Sequence, residues 1–312
     1  MVISSTLLII QLSHDALGSP LSGEPSLKPM SQLNSTTLVI PASFKVQVIP
    51  NPDVPIDSEE IYRAAIDMMF EVSDNALDQI WPNKRFTSPI GPTVIQLTHN
   101  SRGKDPSQVN TQIIIWGLYH LMLSMTVSKL YCQTVAVLRW DDIAIGAIDV
   151  NPRRSPILTA SSDGELIPLQ GDKANSSSLS HFFDRAVTVK IAYGQTPVDR
   201  NLIYLTGIKA MGDAAQMGLD EPCNGMISSS IRVTKWSLIR EPGHGVPEFK
   251  AGYSRIAAFR ALGKIIMDQK FLETFVIMDV EGLHTAVGGV TQGIAIDQDR
   301  DQAMISDNLQ SK

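Results

Sequence analysis

The sequence predicts an α+β protein built as a tandem duplication of a βαβαββ unit, in which each copy forms a small, mostly antiparallel or mixed sheet covered by two helices. Three observations support this prediction. Residues 55–79 and 197–221 repeat one helical pattern with its start signal, short alternating runs flank both helices, and each copy closes with two apolar runs around an acidic turn. The copies are predicted at residues 44–150 and 186–296.

Each copy opens with a strand and an amphipathic helix. The runs FKVQVI and AVTVKI alternate apolar and polar residues, as a half-buried strand does. Side chains kept in both copies, such as Tyr62 with Tyr204, recur at steps of three and four, which indicates one buried helical face. Asp57 and Asp199 stand just before the helices, where a carboxylate accepts from the free amides of the first turn. Capping and packing therefore explain the repeated residues without any catalytic role.

The second half of each copy predicts another strand, another helix and a hairpin. TVIQLT and SIRVTKWSLI are the strand candidates, and helical patterns follow at about 110–130 and 250–269. The closing apolar runs surround Asp141-Asp142 in the first copy and Glu281-Gly282 in the second, as expected for β-hairpins. Two helices are predicted to cover one face of each sheet. The sequence leaves open whether the other face packs against the second copy or is exposed to solvent.

The remaining segments lack a sustained period. Residues 1–18 carry a short apolar stretch and then Ala16-Leu17-Gly18, which favours a cleaved secretory signal peptide over a trimmed or disordered N-terminus. Residues 19–43 are predicted to be a flexible lead, 151–185 a linker or long surface loop, and 297–312 a polar C-terminal tail.

A secreted chain would carry further features. Asn34 in Asn-Ser-Thr and Asn175 in Asn-Ser-Ser become N-glycosylation acceptors in the secretory pathway. Cys132 and Cys223 are too few for a disulfide framework, and the alternatives are one bridge between them or two buried thiols. We predict secretion, with a cytoplasmic location as the alternative.

Composition and charge limit the classes of partner that the chain is predicted to bind. The chain has 312 residues, 43% of them hydrophobic, and a formal charge of −6 spread evenly along it. Nucleic acid is excluded as a predicted partner because binding it needs a concentrated basic face. No apolar run is long enough for a membrane-spanning helix. We expect a soluble protein with a small-molecule or protein partner.

Candidate catalytic and metal-binding residues are few. His244, between two glycines in REPGHGVPEF, is a weak catalytic candidate because a mobile loop could carry it over a pocket. Neither metal nor cofactor is predicted. Other residues resemble functional sites but are better explained as surface, turn or strand residues. They are His120 and His284 as single histidines, the acidic turns at Asp141-Asp142 and Glu281, the alternating Asp297, Asp299 and Asp301, which do not complete a calcium-binding loop, and the glycines from Gly288 to Gly293, which do not form a nucleotide-binding loop.

The sequence predicts a protein of the binding or interaction type, and we lean against an enzyme because no catalytic motif is recognisable. The alternative is a cofactor-free enzyme, such as a cyclase, isomerase or hydrolase, with its pocket between the repeats. In either case the site should use residues that differ between the two copies, since the shared ones are explained by packing. The substrate or ligand stays open.

Overall fold

A computed structural model describes residues 40–87, 92–99, 109–152, 187–223, 226–241 and 248–293. The first repeat contains β1 (Phe44–Pro55), α1 (Ser58–Val72), β2 (Lys84–Thr87), β3 (Thr93–His99), α2 (Thr111–Ser128), β4 (Cys132–Trp140) and β5 (Ile143–Pro152). The second contains β6 (Val187–Pro197), α3 (Arg200–Gln216), β7 (Met226–Ile231), β8 (Thr234–Arg240), α4 (Ala251–Asp268), β9 (Leu272–Val280) and β10 (Leu283–Gln292).

The two repeats have the same topology. Each forms a five-stranded antiparallel sheet, in the order β1-β4-β5-β3-β2 in the first repeat and β6-β9-β10-β8-β7 in the second. The predicted α+β tandem duplication is thereby confirmed. Each helix packs on the sheet of its own repeat, and no described helix covers the opposite sheet face, here called the outer face.

Each sheet has one strand more than the sequence predicted. The run SIRVTKWSLI, predicted to be one strand, instead turns between β7 and β8. Arg232 adopts a left-handed φ of 52° at this turn. Because neither Gly, Asn nor Pro marks the reversal, the usual turn signal was missing from the sequence. In the first repeat the added strand is the short β2, whose four residues pair with β3.

The predicted helix caps are present. The Oδ1 atom of Asp57 accepts from the backbone nitrogen of Glu59 at 2.7 Å. Asp199 accepts in the same way from the backbone nitrogen of Asn201 at 2.8 Å. Each carboxylate satisfies amides that have no partner within the first helical turn, which fixes where both helices begin.

The helices of the two repeats pack on each other within one continuous hydrophobic core. Tyr62 and Tyr204, the fifth residues of α1 and α3, place their ring centroids 5.1 Å apart. The first residues of the same helices, Ser58 and Arg200, are joined by a hydrogen bond of 3.2 Å. Residues that touch their own counterparts lie on a two-fold axis, so the repeats are related by an approximate two-fold rotation.

Polar contacts also join the repeats. Arg255 of α4 is 1% exposed and donates to the carbonyl oxygen of Phe70 at 2.7 Å and to the Asp74 carboxylate. The rings of Phe70 and Phe259 stack with centroids 3.9 Å apart. The helical layer between the sheets is therefore filled by side chains of both repeats.

Both closing hairpins are present as predicted. Asp141 and Asp142 have φ angles of 47° and 63°, and Glu281 and Gly282 have φ angles of 53° and 81°. Two successive left-handed residues form the type of two-residue turn whose twist matches the strands that it joins. In the described part of the chain, no helix is long and apolar enough to cross a membrane.

Candidate functional site

Several residues singled out in the sequence lie outside the described residues. These are His244, the glycosylation candidates Asn34 and Asn175 and the acidic residues from Asp297 to Asp301. The predicted signal peptide and C-terminal tail fall there too. Their roles stay predictions.

The described histidines lie at separate places in the fold. His120 is half-buried on α2 beside the ring of Phe44, at a centroid distance of 6.4 Å. Burial lowers the pKa of His120 to about 4, so its imidazole is neutral at pH 7. His284 instead approaches the Asp279 carboxylate on the outer face of the second sheet, with Nδ1 3.2 Å from Oδ1. The structure does not bring these residues together.

The bridge considered between Cys132 and Cys223 is not formed. Both side chains are buried free thiols. Cys132 begins β4 in the first sheet, whereas the backbone nitrogen of Cys223 bonds the carbonyl of Phe249 in the second repeat. The two cysteines thus belong to the packing of different repeats. Within the described ranges, no group of three or more His, Cys, Asp or Glu side chains is placed to hold a metal ion.

The carboxylates of the hairpins are turn residues. Asp142 forms an exposed ion pair with Lys45, 2.9 Å between Nζ and Oδ1, and this ion pair lowers the pKa of Asp142. Gly288 and Gly289 belong to β10 rather than to a nucleotide-binding loop. A Cβ atom on Gly289 would lie 1.8 Å from the carbonyl oxygen of Thr274, so close strand packing explains this glycine.

The enzyme alternative placed a pocket between the repeats. The described residues at that position are packed ring against ring, with Tyr62 and Tyr204 fully buried. Burial raises the pKa of both phenols far above neutrality, and they stay protonated. The two rings fill the place where they meet, and neither phenol exchanges protons near pH 7.

A depression of about 390 Å³ lies on the outer face of the first sheet. We call it the outer-face depression. Its floor is formed by three side chains on adjacent strands, Gln133 of β4, Asn151 of β5 and Val94 of β3. Its walls and rim come from Val54, Arg85, Thr87 and Pro152.

A chain of amide side chains crosses three strands at the floor of the depression. Asn51 donates from Nδ2 to Oε1 of Gln133 at 3.0 Å. Gln133 in turn donates from Nε2 to Oδ1 of Asn151 at 2.7 Å. Each amide orients the next, so the Oδ1 atom of Asn151 is engaged and its Nδ2 group stands at the end of the chain.

Arg85 supplies the positive charge of the depression. It lies on the outer face of β2 in register with Gln96 of β3. Its side chain is exposed, and its guanidinium makes no hydrogen bond or ion pair with any residue that the structure describes. An arginine offers five donors in a planar fork, and here none of them bonds a described residue.

An irregularity in β1 builds the opposite wall. The register between β1 and β4 shifts between Asn51 and Pro55, so the intervening residues bulge out of the ladder. The sequence NPDVP explains the bulge because proline has no amide hydrogen for the ladder. Val54 projects from this bulge into the lining of the depression.

Two carboxylates lie close to the depression. Asp53 is exposed in the bulge of β1, and Asp149 of β5 is half-buried on the outer face in register with Val135 and Gln96. Burial raises the pKa of Asp149. The depression therefore has one positive charge, that of Arg85, with two carboxyl groups near it.

The second repeat does not reproduce this chemistry. The positions matching Gln133, Asn151 and Val94 in strand order hold Glu273, Thr291 and Lys235. Ser228 stands where Arg85 does, since it pairs with Ser237 as Arg85 pairs with Gln96. The amide chain and the arginine are thus specific to the first repeat, and the site uses residues that differ between the copies.

Sequence reasoning missed the depression. Gln133 stands one position before the apolar run that opens the closing hairpin, and Asn151 was assigned to the linker at 151–185, whereas the structure places both in strands. Their meeting depends on the order β4-β5-β3, which brings residues far apart in sequence onto neighbouring strands. The available signal was the sequence NPDVP, whose two prolines indicate an interruption of the strand ladder beside this site.

Comparisons with known proteins do not identify a family for this chain. No protein-family model matches the chain, and no curated protein does. Among solved structures, the tandem DUF26 ectodomain of the Arabidopsis thaliana cysteine-rich receptor-like protein PDLP8 is similar at 7% identity, over 79% of this chain and 96% of that chain, with a TM-score of 0.22. A likeness this weak carries no information on ligand or partner.

Proposed function

We propose that this chain is a binding protein whose ligand occupies the outer-face depression of the first repeat. The observation that carries the proposal is the ordered amide chain from Asn51 to Asn151, which lines one depression with an arginine that has no partner among the described residues. Small-molecule sites typically combine apolar walls with a few polar side chains whose positions are fixed by hydrogen bonds, because the polar groups orient the ligand.

The difference between the repeats supports this proposal. Both sheets share the same strand order, so the fold alone does not require an arginine or an amide chain on the outer face. Matching positions in the second sheet hold other residue types without loss of topology. The residues of the depression are therefore free to serve binding rather than folding.

The test is a ligand screen read at residue level. We expect a mixed library of sugars, amides and organic acids to shift NMR signals around Arg85 and Asn151, including the side-chain amide of Asn151. The variants Arg85→Ser and Asn151→Thr carry the residue types of the second repeat and should fold while losing the response. A library that shifts only signals elsewhere, or none, would contradict the proposal.

We also propose that the protein is secreted, as the leader at residues 1–18 and the sequons at Asn34 and Asn175 suggest. Expression in a eukaryotic secretory host should give protein in the medium that begins near Ser19 and loses mass on deglycosylation. Full-length protein retained in the cytosol would refute this.

A further inference from the structure

We propose that the outer-face depression binds a small monocarboxylate with a short aliphatic tail. This inference rests on the proposed function and specifies the class of ligand. Four observations carry it: the excess of hydrogen-bond donors, the single positive charge, the nearby acidic groups and the apolar walls.

The depression offers more donors than acceptors. The Nδ2 group of Asn151 ends the amide chain, and the oxygens of Gln133 and Asn151 each already accept one hydrogen bond within the chain. The Thr87 hydroxyl both donates and accepts. The guanidinium of Arg85 adds donors and no acceptor. A carboxylate supplies only acceptors and matches the planar guanidinium with two parallel hydrogen bonds. The donor set therefore favours a carboxylate over a sugar, which both donates and accepts.

The arrangement of the strands fits one ligand group between these donors. Arg85 lies on β2 and Asn151 on β5, with β3 between them. Arg85 is in register with Gln96 and Asn151 with Val94, two positions apart along β3. With strands roughly 4.8 Å apart and a rise of roughly 3.4 Å per residue, the two backbones are roughly 12 Å apart. An arginine side chain and an asparagine side chain both project from the same face over β3. A carboxylate above Val94 is thus within reach of both.

The local charge favours a monoanion. Arg85 is the one basic side chain among the residues that line the depression, and Asp53 and Asp149 are close by. A doubly charged phosphate would meet more repulsion from these carboxylates than one guanidinium offsets. A single negative charge meets the Arg85 guanidinium with less of this repulsion than a dianion does.

Apolar groups provide room for a tail. Val54, Val94 and Pro152 line the depression around the donors. A volume of about 390 Å³ lies at the lower end of the range typical of small-molecule sites. A short aliphatic chain would cover these side chains without hydrogen bonds of its own.

The experiment titrates the full chain with hexanoate, its neutral analogue hexanamide and hexyl phosphate, all at the same ionic strength, with NMR as the readout. We expect hexanoate to shift the signals of Arg85 and the Asn151 side chain with a dissociation constant of roughly 0.1–10 mM. Hexanamide and hexyl phosphate should each bind at least about ten times more weakly, because the first lacks the charge and the second carries too much.

Two variants localise the effect. Arg85→Ser should weaken hexanoate binding by at least about tenfold, through loss of the charged hydrogen bonds. The matched control is Arg139→Ser, which removes the same charge from the same sheet face, where Arg139 already bonds Gln47 at 3.1 Å. This control should bind hexanoate as the parent does.

The outcomes separate the inference from the proposed function. If hexanamide or a sugar shifts the depression signals more strongly than hexanoate, the carboxylate assignment is wrong and the binding function stands. If Arg139→Ser weakens binding as much as Arg85→Ser, the effect is general electrostatics and the assignment again fails. If no ligand of any class shifts these signals, both proposals are refuted.

Discussion

At the residue scale, the second repeat buries a charged group that the first lacks. Lys209 and Asp213 of α3 are 7% and 1% exposed, and Nζ lies 2.7 Å from Oδ2. The hydroxyl of Ser229 donates to the same carboxylate oxygen. The matching positions in the first repeat hold Asp67, Glu71 and Phe86. Buried charges are tolerated only when paired, so this cluster is a sensitive point of the fold.

Asp213→Ala should lower the free energy of unfolding by about 3–5 kcal/mol, because it leaves the Lys209 ammonium buried without its carboxylate. Urea denaturation followed by circular dichroism measures this. Glu71→Ala is the matched control, since Glu71 has the same position in α1 and its ion pair with Lys84 is much less buried, with side chains 48% and 24% exposed. It should cost under about 1 kcal/mol. Equal costs would show that the cluster contributes no more than a surface pair.

At the element scale, the second helices of the two repeats begin differently. Asn110 caps α2 by accepting from the backbone nitrogen of Ile113 at 3.0 Å. Lys250 holds the corresponding position before α4, where its side chain makes no capping bond. A lysine at a helix N-terminus also opposes the helix dipole. The start of α4 is therefore less well satisfied than the start of α2.

Lys250→Asn should stabilise the protein by about 0.5–1 kcal/mol through a new cap. The lost ion pair between Lys250 and Asp220, which is 66% exposed on the aspartate side, offsets little of this gain. The reciprocal change Asn110→Lys should destabilise by a similar amount. Chemical denaturation of both variants tests the argument, and changes of the same sign would contradict it.

At the scale of the whole molecule, the two repeats share one core and should unfold together. The buried Arg255 of α4 binds the end of α1 across the interface through Phe70 and Asp74. A cation at a helix C-terminus satisfies carbonyls that have no helical partner. The repeats are therefore expected to behave as one cooperative unit rather than as two domains.

Arg255→Ala should cost about 3 kcal/mol, because it leaves the Asp74 carboxylate, 11% exposed, without its guanidinium. Unfolding should remain a single transition in signals from both repeats, with a lower midpoint. Lys264→Ala, which alters an exposed pair on the same helix, should change stability by less than about 0.5 kcal/mol. Two separate transitions in the parent protein would refute the shared core.

The sequence alone determined the α+β class, the duplication, the caps and the buried helical stripe, because capping and periodicity are local properties. Tyr62 and Tyr204 were assigned to the buried stripe in this way, and the structure buries both. The sequence did not predict the fifth strand of the second sheet, because the chain turns at Arg232 without a glycine, asparagine or proline to mark the turn. Local signals report on one segment at a time.

Tertiary structure alone decided the candidate site and the packing of the repeats. Gln133 and Asn151 are eighteen positions apart and meet because β4 and β5 pair, while Asn51 joins them from β1. The pairing of Tyr62 with Tyr204 likewise requires the two-fold arrangement of whole repeats. Contacts between distant segments depend on strand order and on how helical faces are shared, and neither is encoded in the period of a single segment.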